Sequence, residues 1–435
     1  MDIIEDLERR GLLDNFSNKE KIKELFKEKK TIYCGFDPSF KSLQLGNYIM
    51  ITILKRLQKA GHKIIAVLGG ATGMIGDPSG RNSERSFQDE NTLFENAKAI
   101  KNQLAKYIDT SDPEKGIIVN NYDWWSKINT ISFLRDYGKM IQINYMLDKE
   151  TVKRRLDTGI SFTEFSYMLL QSGDFQKLYD DYHCTIQIGG GDQWGNLTCA
   201  LDFVKKTREE SRDQCEVFSV KLITDSQGKK FGKSENGALY LDPELTSPYH
   251  IYQYFMNVSD QEVEKYLKIF DDRDIAEIEK IVSEHMAHPE FRTGQKELAR
   301  LLVTMIHGKR QAERCKLMSE ALFKDDFSSL EEDDLKQLTD GLCVFSASED
   351  LSLQDALVNC KLASSKREAR DFIKNGACKI NGNKQNDLEK VITKEDCLNG
   401  GYIFLKRGKK NYAVIKYKKN KRMSFTAESS FLLLF

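Results

Sequence analysis

The sequence predicts an α/β fold with a doubly wound parallel sheet, followed by a helical region and a small C-terminal α/β domain. Two short apolar runs, "KKTIYCGF" and "KIIAVLGG", have the composition of buried strands, and an amphipathic stretch of helical period lies between them. Strand, helix and strand within about forty residues form a βαβ unit, whose two strands are parallel. A chain of 435 residues exceeds what one compact core holds, so two or three domains are expected.

The connecting helix is predicted from "LGNYIMITILKRLQKAG", with Gly61 as its stop. Its apolar face is formed by Ile49, Ile53, Leu54 and Leu57. Further along, "TIQIGGGDQWGN" predicts a strand that runs into a glycine-rich turn, and "SVKLITDSQGKKFGKSENG" predicts a strand followed by a loop. The pattern is therefore that of a sheet whose strands end in glycine-rich loops.

The second half of the chain changes in character. Residues 247–308 are densely helical in pattern, and residues 325–350 hold nine acidic residues against one lysine, which is typical of a linker. In the segment 351–418, "KREARDFIKNGACKINGNKQ" predicts a helix, a glycine turn and a strand. The expected divisions are 1–245, 246–324, 325–350, 351–418 and a tail without motifs, 419–435.

Composition excludes several classes of protein. Hydrophobic content of 40% with 30% charged residues is ordinary for a globular protein, and the longest apolar runs are far shorter than a membrane span. The acidic start "MDIIEDLERR" is unlike a secretory signal, and nine scattered cysteines without a CxxC pair favour free thiols in the cytoplasm. The adjacent pair His183 and Cys184 cannot form a tetrahedral site alone, so we expect no protein-bound metal.

The net charge of zero conceals an asymmetry along the chain. Between Lys361 and Arg422 there are eighteen basic residues against six acidic ones, a balance of +12. A basic block of this size indicates a polyanionic partner, although a solvated basic surface is the alternative.

The first candidate site follows the first predicted strand. Ligands of parallel sheets bind beyond the carboxyl ends of the strands, where the segment 33–37 lies. The next helix begins near Gly46 and Asn47, whose backbone N–H groups suit a phosphate, and Ser39 and Gln44 add neutral donors. Small residues at such turns can equally serve packing alone.

Two glycine-rich loops carry further charges. The loop "GGATGMIGDPSGRNSER" places Asp77, Arg81 and Arg85 beside four glycines, which let a backbone approach a ligand closely. In "KKFGKSENG", Lys230 and Lys233 flank a glycine turn and provide mobile positive charges for a polyphosphate. Each loop alone could be an ordinary surface loop.

A polar stripe lies on an otherwise apolar predicted helix, "FTEFSYMLLQSGDF". Tyr167, Gln171 and Asp174 fall at i, i+4 and i+7 and so share one face. Such a stripe normally faces solvent, but the apolar residues around it leave little outer face. An inward polar cluster is therefore the interpretation we favour.

Together the motifs resemble those of bacterial-type tyrosyl-tRNA synthetases, which are class I enzymes. "SLQLGN" stands where that family has its HIGH-type motif and "KFGKS" where it has its KMSKS-type motif. "YCGFDPS", "GGATGMIGDPSG", "NNYDW", "FTEFSYMLLQ" and "QIGGGDQWGN" follow the family order, and "LASSKREARDFIKNGACKINGNKQ" resembles its ribosomal-protein-like RNA-binding module. The resemblance covers residues 1–418 and implies a Rossmann-like catalytic domain, a helical anticodon-arm domain and this module.

The resemblance implies how tyrosine is bound. Tyr33 and Asp174 would hydrogen-bond its phenolic hydroxyl, because phenylalanine would leave both groups buried and unpaired. The other implied tyrosine contacts are Asp77, Tyr167 and Gln171 with the α-ammonium, Gln193 near the carboxylate, and Gln187 shaping the pocket.

The resemblance also implies how ATP is bound and attacked. The nucleotide would contact Asp37 and Gly46, with Asp192 on its ribose, and Mg²⁺ would arrive with ATP. The implied catalytic groups are Ser39, Gln44, Asn47, Arg81, Arg85, Lys230 and Lys233, the last of which also binds ATP. The reaction needs no general base, since the attacking group is a carboxylate.

Three positions depart from the family pattern. Gln44 stands where many members have histidine, Arg81 where lysine is usual, and Gly191 where many have serine. A glutamine amide offers an NH₂ donor of reach similar to that of a neutral histidine. We therefore expect Gln44 to donate to the ATP phosphates.

The implied partners are L-tyrosine, ATP, tRNA(Tyr) and a second copy of the chain. The RNA contacts are expected from Lys366, Arg367, Arg370 and Lys374. The homodimer interface is expected around "FLRDYGKMIQINYM", whose apolar residues could equally be core. Two alternatives remain: a tryptophanyl-tRNA synthetase, disfavoured by the Tyr33/Asp174 pair, and a non-catalytic RNA-binding protein in which Gln44 is a lesion.

Overall fold

The computed structural model describes residues 2–79, 88–226, 228–234, 237–408 and 411–418. Arg81, Arg85 and the tail 419–435, for which expectations were given above, lie outside the described residues. The chain forms two compact units, Met1–Thr246 with Phe255–Leu301 and Ser247–Tyr254 with Leu302–Phe435. In the part of the chain that is described, no helix is both long and apolar enough to cross a membrane.

The first unit is built on a six-stranded sheet with the order β1-β6-β5-β2-β3-β4. Its strands are β1 (Leu13–Phe16), β2 (Thr31–Phe36), β3 (Lys63–Leu68), β4 (Gly116–Asn120), β5 (Cys184–Gly190) and β6 (Glu216–Val220). β2 to β6 are parallel to one another, and the edge strand β1 is antiparallel to β6. The predicted parallel sheet is confirmed. A short antiparallel pair, β7 (Lys233–Ser234) and β8 (Gly237–Ala238), lies outside it.

Helices of the first unit connect and cover these strands. Those before residue 246 are α1 (Ile3–Arg9), α2 (Lys19–Leu25), α3 (Leu45–Lys59), α4 (Thr72–Ile75), α5 (Glu90–Leu104), α6 (Tyr122–Trp125), α7 (Thr130–Ser132), α8 (Ile143–Leu147), α9 (Glu150–Leu156), α10 (Phe162–Tyr182) and α11 (Trp194–Thr207). A π-helical turn, Phe133–Gly138, follows α7 directly. α3 and α5 pack on β3, and α10 and α11 pack on β5.

The helix α3 forms where the apolar periodicity predicted it. Its four predicted core residues are all buried, and they place the helix against the sheet so that its first turn lies beyond the end of β2. Gly61 follows the end of the helix, and its φ of +100° is a conformation that glycine adopts without the strain of a side chain. The β2–α3–β3 unit thus fixes the backbone at the candidate phosphate site.

The helical region after residue 246 does not form the separate unit expected for 246–324. It comprises α12 (Pro248–Met256), α13 (Asp260–Phe270), α14 (Ile275–Ala287), α15 (Thr293–His307) and α16 (Lys309–Lys324). α13 and α14 belong to the first unit, and in the turn between them the carbonyl oxygen of Asp271 accepts 2.7 Å hydrogen bonds from Arg10 and Arg56. The local spacing of apolar residues gives no indication of such long-range hydrogen bonds.

The second unit contains a five-stranded sheet with the order β12-β11-β14-β15-β9. After α16, this unit contains α17 (Glu332–Leu338), β9 (Cys343–Ala347), α18 (Leu353–Asn359), α19 (Lys366–Lys374), β11 (Cys378–Ile380), β12 (Asn383–Gln385), β14 (Tyr402–Arg407) and β15 (Asn411–Tyr417). A two-stranded pair, β10 (Leu351–Ser352) with β13 (Val391–Ile392), accompanies it. The predicted helix, turn and strand are α19, the turn at Gly376 and β11.

The expected acidic linker 325–350 is instead folded. It contains α17 and the edge strand β9, which pairs in parallel with β15. Inward-facing Cys343, Phe345 and Ala347 alternate along β9 and pack on the core of this unit. This period-two pattern is short, and the acidic residues on both sides of it dominated the composition of the segment.

Candidate functional site

A cleft of about 430 Å³ opens beyond the carboxyl ends of β2, β3, β5 and β6. This is where parallel sheets bind ligands. Its lining includes fourteen of the predicted site residues: Tyr33, Asp37, Ser39, Gln44, Gly46, Asn47, Asp77, Tyr167, Gln171, Asp174, Asp192, Gln193, Lys230 and Lys233. Gln187 does not line it but lies buried in β5, paired in register with Tyr33. Residues distant in sequence therefore meet at one place.

The floor of the cleft combines a tyrosine hydroxyl with a carboxylate. Tyr33 is only 2% exposed, and its hydroxyl has no hydrogen-bond partner within the described residues. Burial, together with the nearby charge of Asp174, raises the pKa of Tyr33 well above its usual value, so this hydroxyl stays protonated. A buried polar group without a partner costs stability unless a ligand satisfies it.

Asp174 is held in place by three donors from one short segment. Its Oδ1 accepts from the indole N–H of Trp124 at 2.8 Å and of Trp125 at 2.6 Å, and its Oδ2 accepts from Asn121 at 3.0 Å. Burial raises the pKa of Asp174 to about 6, against the effect of these hydrogen bonds, which lower it. The motif "NNYDW" was recognised in the sequence, but no role in the pocket was assigned to its residues.

Asp37 joins the same network from the other side of the cleft. Its two oxygens accept from Tyr167 and from Thr72, both at 2.9 Å. Asn121 donates to the Thr72 hydroxyl at 3.1 Å as well as to Asp174. A Cβ atom at Gly69 would overlap the Asp37 carboxylate, so the glycine after β3 makes room for it. Sequence reasoning missed Thr72 and Asn121, which join the two carboxylates.

Asp77 forms a second polar corner of the cleft. It is 8% exposed and accepts from the backbone N–H of Ser79 at 2.9 Å and from the side-chain amide of Gln193. Gln171 also lines the cleft, and its buried Oε1 has no hydrogen-bond partner among the described residues. A carboxylate and a carbonyl oxygen without a partner among the described residues, both lining this cleft, suit a cationic group.

The mouth of the cleft is formed by the start of α3 and by the glycine turn that carries the two lysines. Gly232 has a φ of +80°, and a Cβ there would lie 3.0 Å from the backbone nitrogen of Gly46. This close approach places Lys230 and Lys233 near the N-terminus of α3. Nζ of Lys230 lies 3.8 Å from Oδ2 of Asp192. Positive charge and backbone N–H groups therefore converge where a polyphosphate would lie.

Comparison with known proteins agrees with this geometry. The family described as "tRNA synthetases class I (W and Y)" matches residues 26–324, and the "Tyrosine--tRNA ligase SYY-like C-terminal domain" matches residues 334–415. Tyrosine--tRNA ligase 1 of Bacillus cereus is 43% identical over 96% of this chain and 100% of its own length. Tyrosine--tRNA ligase of Bacillus velezensis is 44% identical over 95% and 99%. The chain belongs to the tyrosyl-tRNA synthetase family.

Solved structures show the same fold. The truncated mitochondrial tyrosyl-tRNA synthetase of Aspergillus nidulans superposes with a TM-score of 0.66 at 30% identity, over 74% of this chain and 94% of that one. A tryptophanyl-tRNA synthetase from Encephalitozoon cuniculi superposes with a TM-score of 0.54 at 15% identity, over 71% and 87%. Shape alone therefore does not separate the two sister families, whereas the full-length relatives and the C-terminal domain favour the tyrosyl family.

The RNA-binding residues expected from the tyrosyl-tRNA synthetase resemblance lie on α19. Lys366, Arg367, Arg370 and Lys374 are all exposed, while Ala369 and Ile373 bury the opposite face of the helix. Lys366 pairs with Asp355 at 2.6 Å, and Arg370 donates to Gln354 at 2.8 Å. α19 therefore presents a row of cations to solvent, two of which are anchored by neighbours.

Proposed function

We propose that the cleft is where this tyrosine–tRNA ligase joins L-tyrosine to AMP, with the phenol at Tyr33 and Asp174 and the triphosphate at α3. The chain is a class I aminoacyl-tRNA synthetase that activates tyrosine with ATP and charges tRNA. The observation that carries the assignment of the cleft is the buried Tyr33 hydroxyl, which has no hydrogen-bond partner among the described residues and lies near the buried Asp174. A phenolic hydroxyl can accept from Tyr33 and donate to Asp174.

The proposed orientation of tyrosine follows from the two polar corners. With the phenol at Tyr33, the α-ammonium lies among Asp77, Tyr167 and Gln171, and the carboxylate lies near Gln193. The charged hydrogen bond from the ammonium to Asp77 is the strongest of these contacts. Gln187 would shape the pocket indirectly, because it is buried in β5 beside Tyr33 of the neighbouring strand β2.

The chemical step is an in-line displacement at the α-phosphorus of ATP. A tyrosine carboxylate oxygen forms the new O–P bond while the bond to pyrophosphate breaks, and no proton is removed. Catalysis therefore depends on positioning and on stabilising the negative charge of the leaving group. The groups proposed for this are Ser39, Gln44, Asn47, Lys230, Lys233, Arg81 and Arg85.

Gln44 is proposed to donate to the phosphates. It is exposed at the cleft mouth at the start of α3, and its backbone N–H donates to Oδ1 of Asn47 at 2.9 Å. This bond fixes the backbone of the turn, and Gln44 is one of the residues that line the cleft. Asp37, Gly46 and Asp192 are proposed for the nucleotide, and Mg²⁺ enters as part of the ATP substrate.

The test of the proposed pocket is tyrosine-dependent exchange of pyrophosphate into ATP on the full chain. We expect exchange with tyrosine and none above background with phenylalanine or tryptophan. Tyr33→Phe should reduce the preference for tyrosine over phenylalanine by about ten-fold or more, since it removes one buried hydrogen bond. RNA binding without any exchange would instead favour the non-catalytic alternative.

After activation, the tRNA 3′ end attacks the carbonyl of the adenylate and AMP leaves. We propose that α19 and the surrounding basic block bind tRNA(Tyr) through its phosphates. The described part of this block includes the exposed Arg367 and Lys374. Affinity carried by such contacts falls with salt concentration.

A second copy of the chain is proposed to cover the segment around the π-helical turn. Ile131, Leu134, Ile143 and Phe162 are between 46% and 72% exposed there. Clustered apolar exposure of this kind marks an interaction surface. Sedimentation should show a homodimer, and Leu134→Asp with Ile143→Asp should shift it to monomer, whereas a monomeric wild-type chain would contradict the proposal.

We also propose a cytoplasmic location. All nine cysteines are free thiols, and seven of them are buried. A chain with buried, unpaired thiols suits a reducing compartment.

A further inference from the structure

Trp125 contacts the tyrosine pocket only through another residue. Its side chain is buried, and its indole N–H donates to Oδ1 of Asp174 at 2.6 Å. Its ring meets Phe133 edge-on at 5.8 Å and Tyr137 at 5.0 Å between centroids. Trp125 is absent from the cleft lining and so lies behind the carboxylate. It therefore connects the π-helical turn to the group that faces the substrate phenol.

The space for this indole is made by a glycine. Gly173 precedes Asp174 on α10, and a Cβ there would lie 2.5 Å from Cη2 of Trp125 and 2.9 Å from Cε1 of Tyr137. Contacts this short would displace the aromatic rings. α10 thus has glycine, a poor helix former, at a buried internal position where the indole ring packs against it.

We propose that Trp125 is a positioning residue for tyrosine recognition: packed between α10 and the π-helical turn, it fixes the Asp174 carboxylate and keeps it ionised as the acceptor for the substrate phenol. This inference rests on the proposed function, since it assumes that Asp174 binds the phenol. Trp124 shares the same oxygen at 2.8 Å, so two indole donors hold one carboxylate oxygen against rotation.

The indole donors matter because burial and the negative charge of Asp37 both disfavour the ionised form of Asp174. The titratable groups that face it are Tyr33 on β2 and Asp37 just after that strand, and α6 presents neutral indoles. Burial raises the pKa of Asp174 to about 6, the hydrogen bonds from Asn121, Trp125 and Trp124 lower it, and Asp37 raises it. Removal of an indole donor raises the pKa further, so the carboxylate takes up a proton at a higher pH.

The experiment compares Trp125→Phe, Gly173→Ala and the control Tyr122→Phe on the full chain. Trp125→Phe keeps an aromatic ring but removes the donor, and Gly173→Ala favours the helix but displaces the indole. Tyr122→Phe removes a hydroxyl of the same helix that donates to Glu90 at 3.1 Å. The readouts are KM for tyrosine and for ATP in pyrophosphate exchange, and the pH dependence of kcat/KM for tyrosine.

Trp125→Phe and Gly173→Ala should raise KM for tyrosine about ten-fold and move the acid limb upward by about one pH unit, since a charge-assisted bond is lost. KM for ATP and all values for Tyr122→Phe should stay near wild type. An unchanged acid limb and KM for tyrosine in a folded Trp125→Phe overturns the inference. If Trp125→Phe does not fold, an unchanged acid limb and an unchanged KM for tyrosine in Gly173→Ala overturn the inference instead. A wild-type chain without tyrosine-dependent exchange overturns the proposed function, and the inference with it.

Discussion

The hydroxyl of Tyr167 donates a 2.9 Å hydrogen bond to Oδ2 of Asp37, while Thr72 donates to the other oxygen at the same distance. Tyr167 lies on α10 and Asp37 follows β2, so this bond ties the helix that carries Asp174 to the strand that carries Tyr33. A side chain predicted for tyrosine is thereby joined to one predicted for ATP. The proposed tyrosine and ATP sites would therefore be linked by this hydrogen bond.

Tyr167→Phe tests whether this hydrogen bond supports tyrosine binding. Loss of the hydroxyl leaves one oxygen of a half-buried carboxylate without this donor, at a cost of about 1–3 kcal/mol. We expect KM for tyrosine to rise by about ten-fold or more in pyrophosphate exchange. Tyr182→Phe, at the end of the same helix and away from the cleft, is the matched control and should behave as wild type. Equal kinetics for the two variants would exclude a role of the Tyr167 hydroxyl in binding.

Gln44 provides a test at the phosphate end. Gln44→Ala should lower the rate of tyrosine activation by about ten-fold or more, if its donor contributes about 1.5–3 kcal/mol in the transition state. Gln44→His should retain most of the rate, because an imidazole N–H has similar reach. Single-turnover formation of the adenylate measures both. An alanine variant as fast as wild type would show that Gln44 makes no contact that matters to the step.

Asp325 stabilises the second unit. Its carboxylate is 10% exposed and contacts Lys379 at 2.6 Å, Lys406 at 2.7 Å and the Tyr412 hydroxyl at 2.7 Å. Burial raises its pKa, but these hydrogen bonds outweigh that effect and lower the pKa of Asp325 to about 2. A depressed pKa contributes stability that is present above the unfolded value, near 3.9, and is lost as the pH falls through about 2.

Asp325→Asn should therefore destabilise this unit by about 2 kcal/mol at neutral pH. Hydrogen exchange of the β14 and β15 amides in the full chain measures the change locally. Asp326→Asn is the control, since Asp326 is exposed and contacts the backbone of Ser328. The difference from wild type should shrink as the pH approaches 2; a difference independent of pH would mean that packing, not charge, holds the carboxylate.

The RNA surface can be tested through its salt dependence. Arg367→Ala with Lys374→Ala removes two exposed cations from α19, and the slope of log affinity for tRNA(Tyr) against log salt should fall by about two. Pyrophosphate exchange should be unaffected. Lys59→Ala with Lys98→Ala, on the exposed sides of α3 and α5 in the first unit, removes the same charge outside both regions expected to bind RNA. An unchanged slope in the α19 variant would place the tRNA on another surface.

Much of the fold was predictable because local periodicity determines it. The β2–α3–β3 unit and the polar face of α10 needed only the spacing of apolar and polar residues. The roles of Trp124 and Trp125 were not predictable from patterns, since a buried indole has the same sequence signature whether or not it donates to a carboxylate. β9 was missed because five alternating residues between acidic runs give a weak signal. The place of α13 depends on Arg10 and Arg56, more than two hundred residues away.

The position of β9 has a consequence for synthesis on the ribosome. Cys343 of β9 pairs with Ala413 of β15, 70 residues later, and β15 is its neighbour in the described sheet. At about 5–20 residues per second, β9 emerges several seconds before the strand that completes its pairing. During that interval its apolar side chains have no sheet to pack on. Acidic residues lie on both sides of β9, and we expect them to limit aggregation of this segment, because like charges oppose the association of nascent chains.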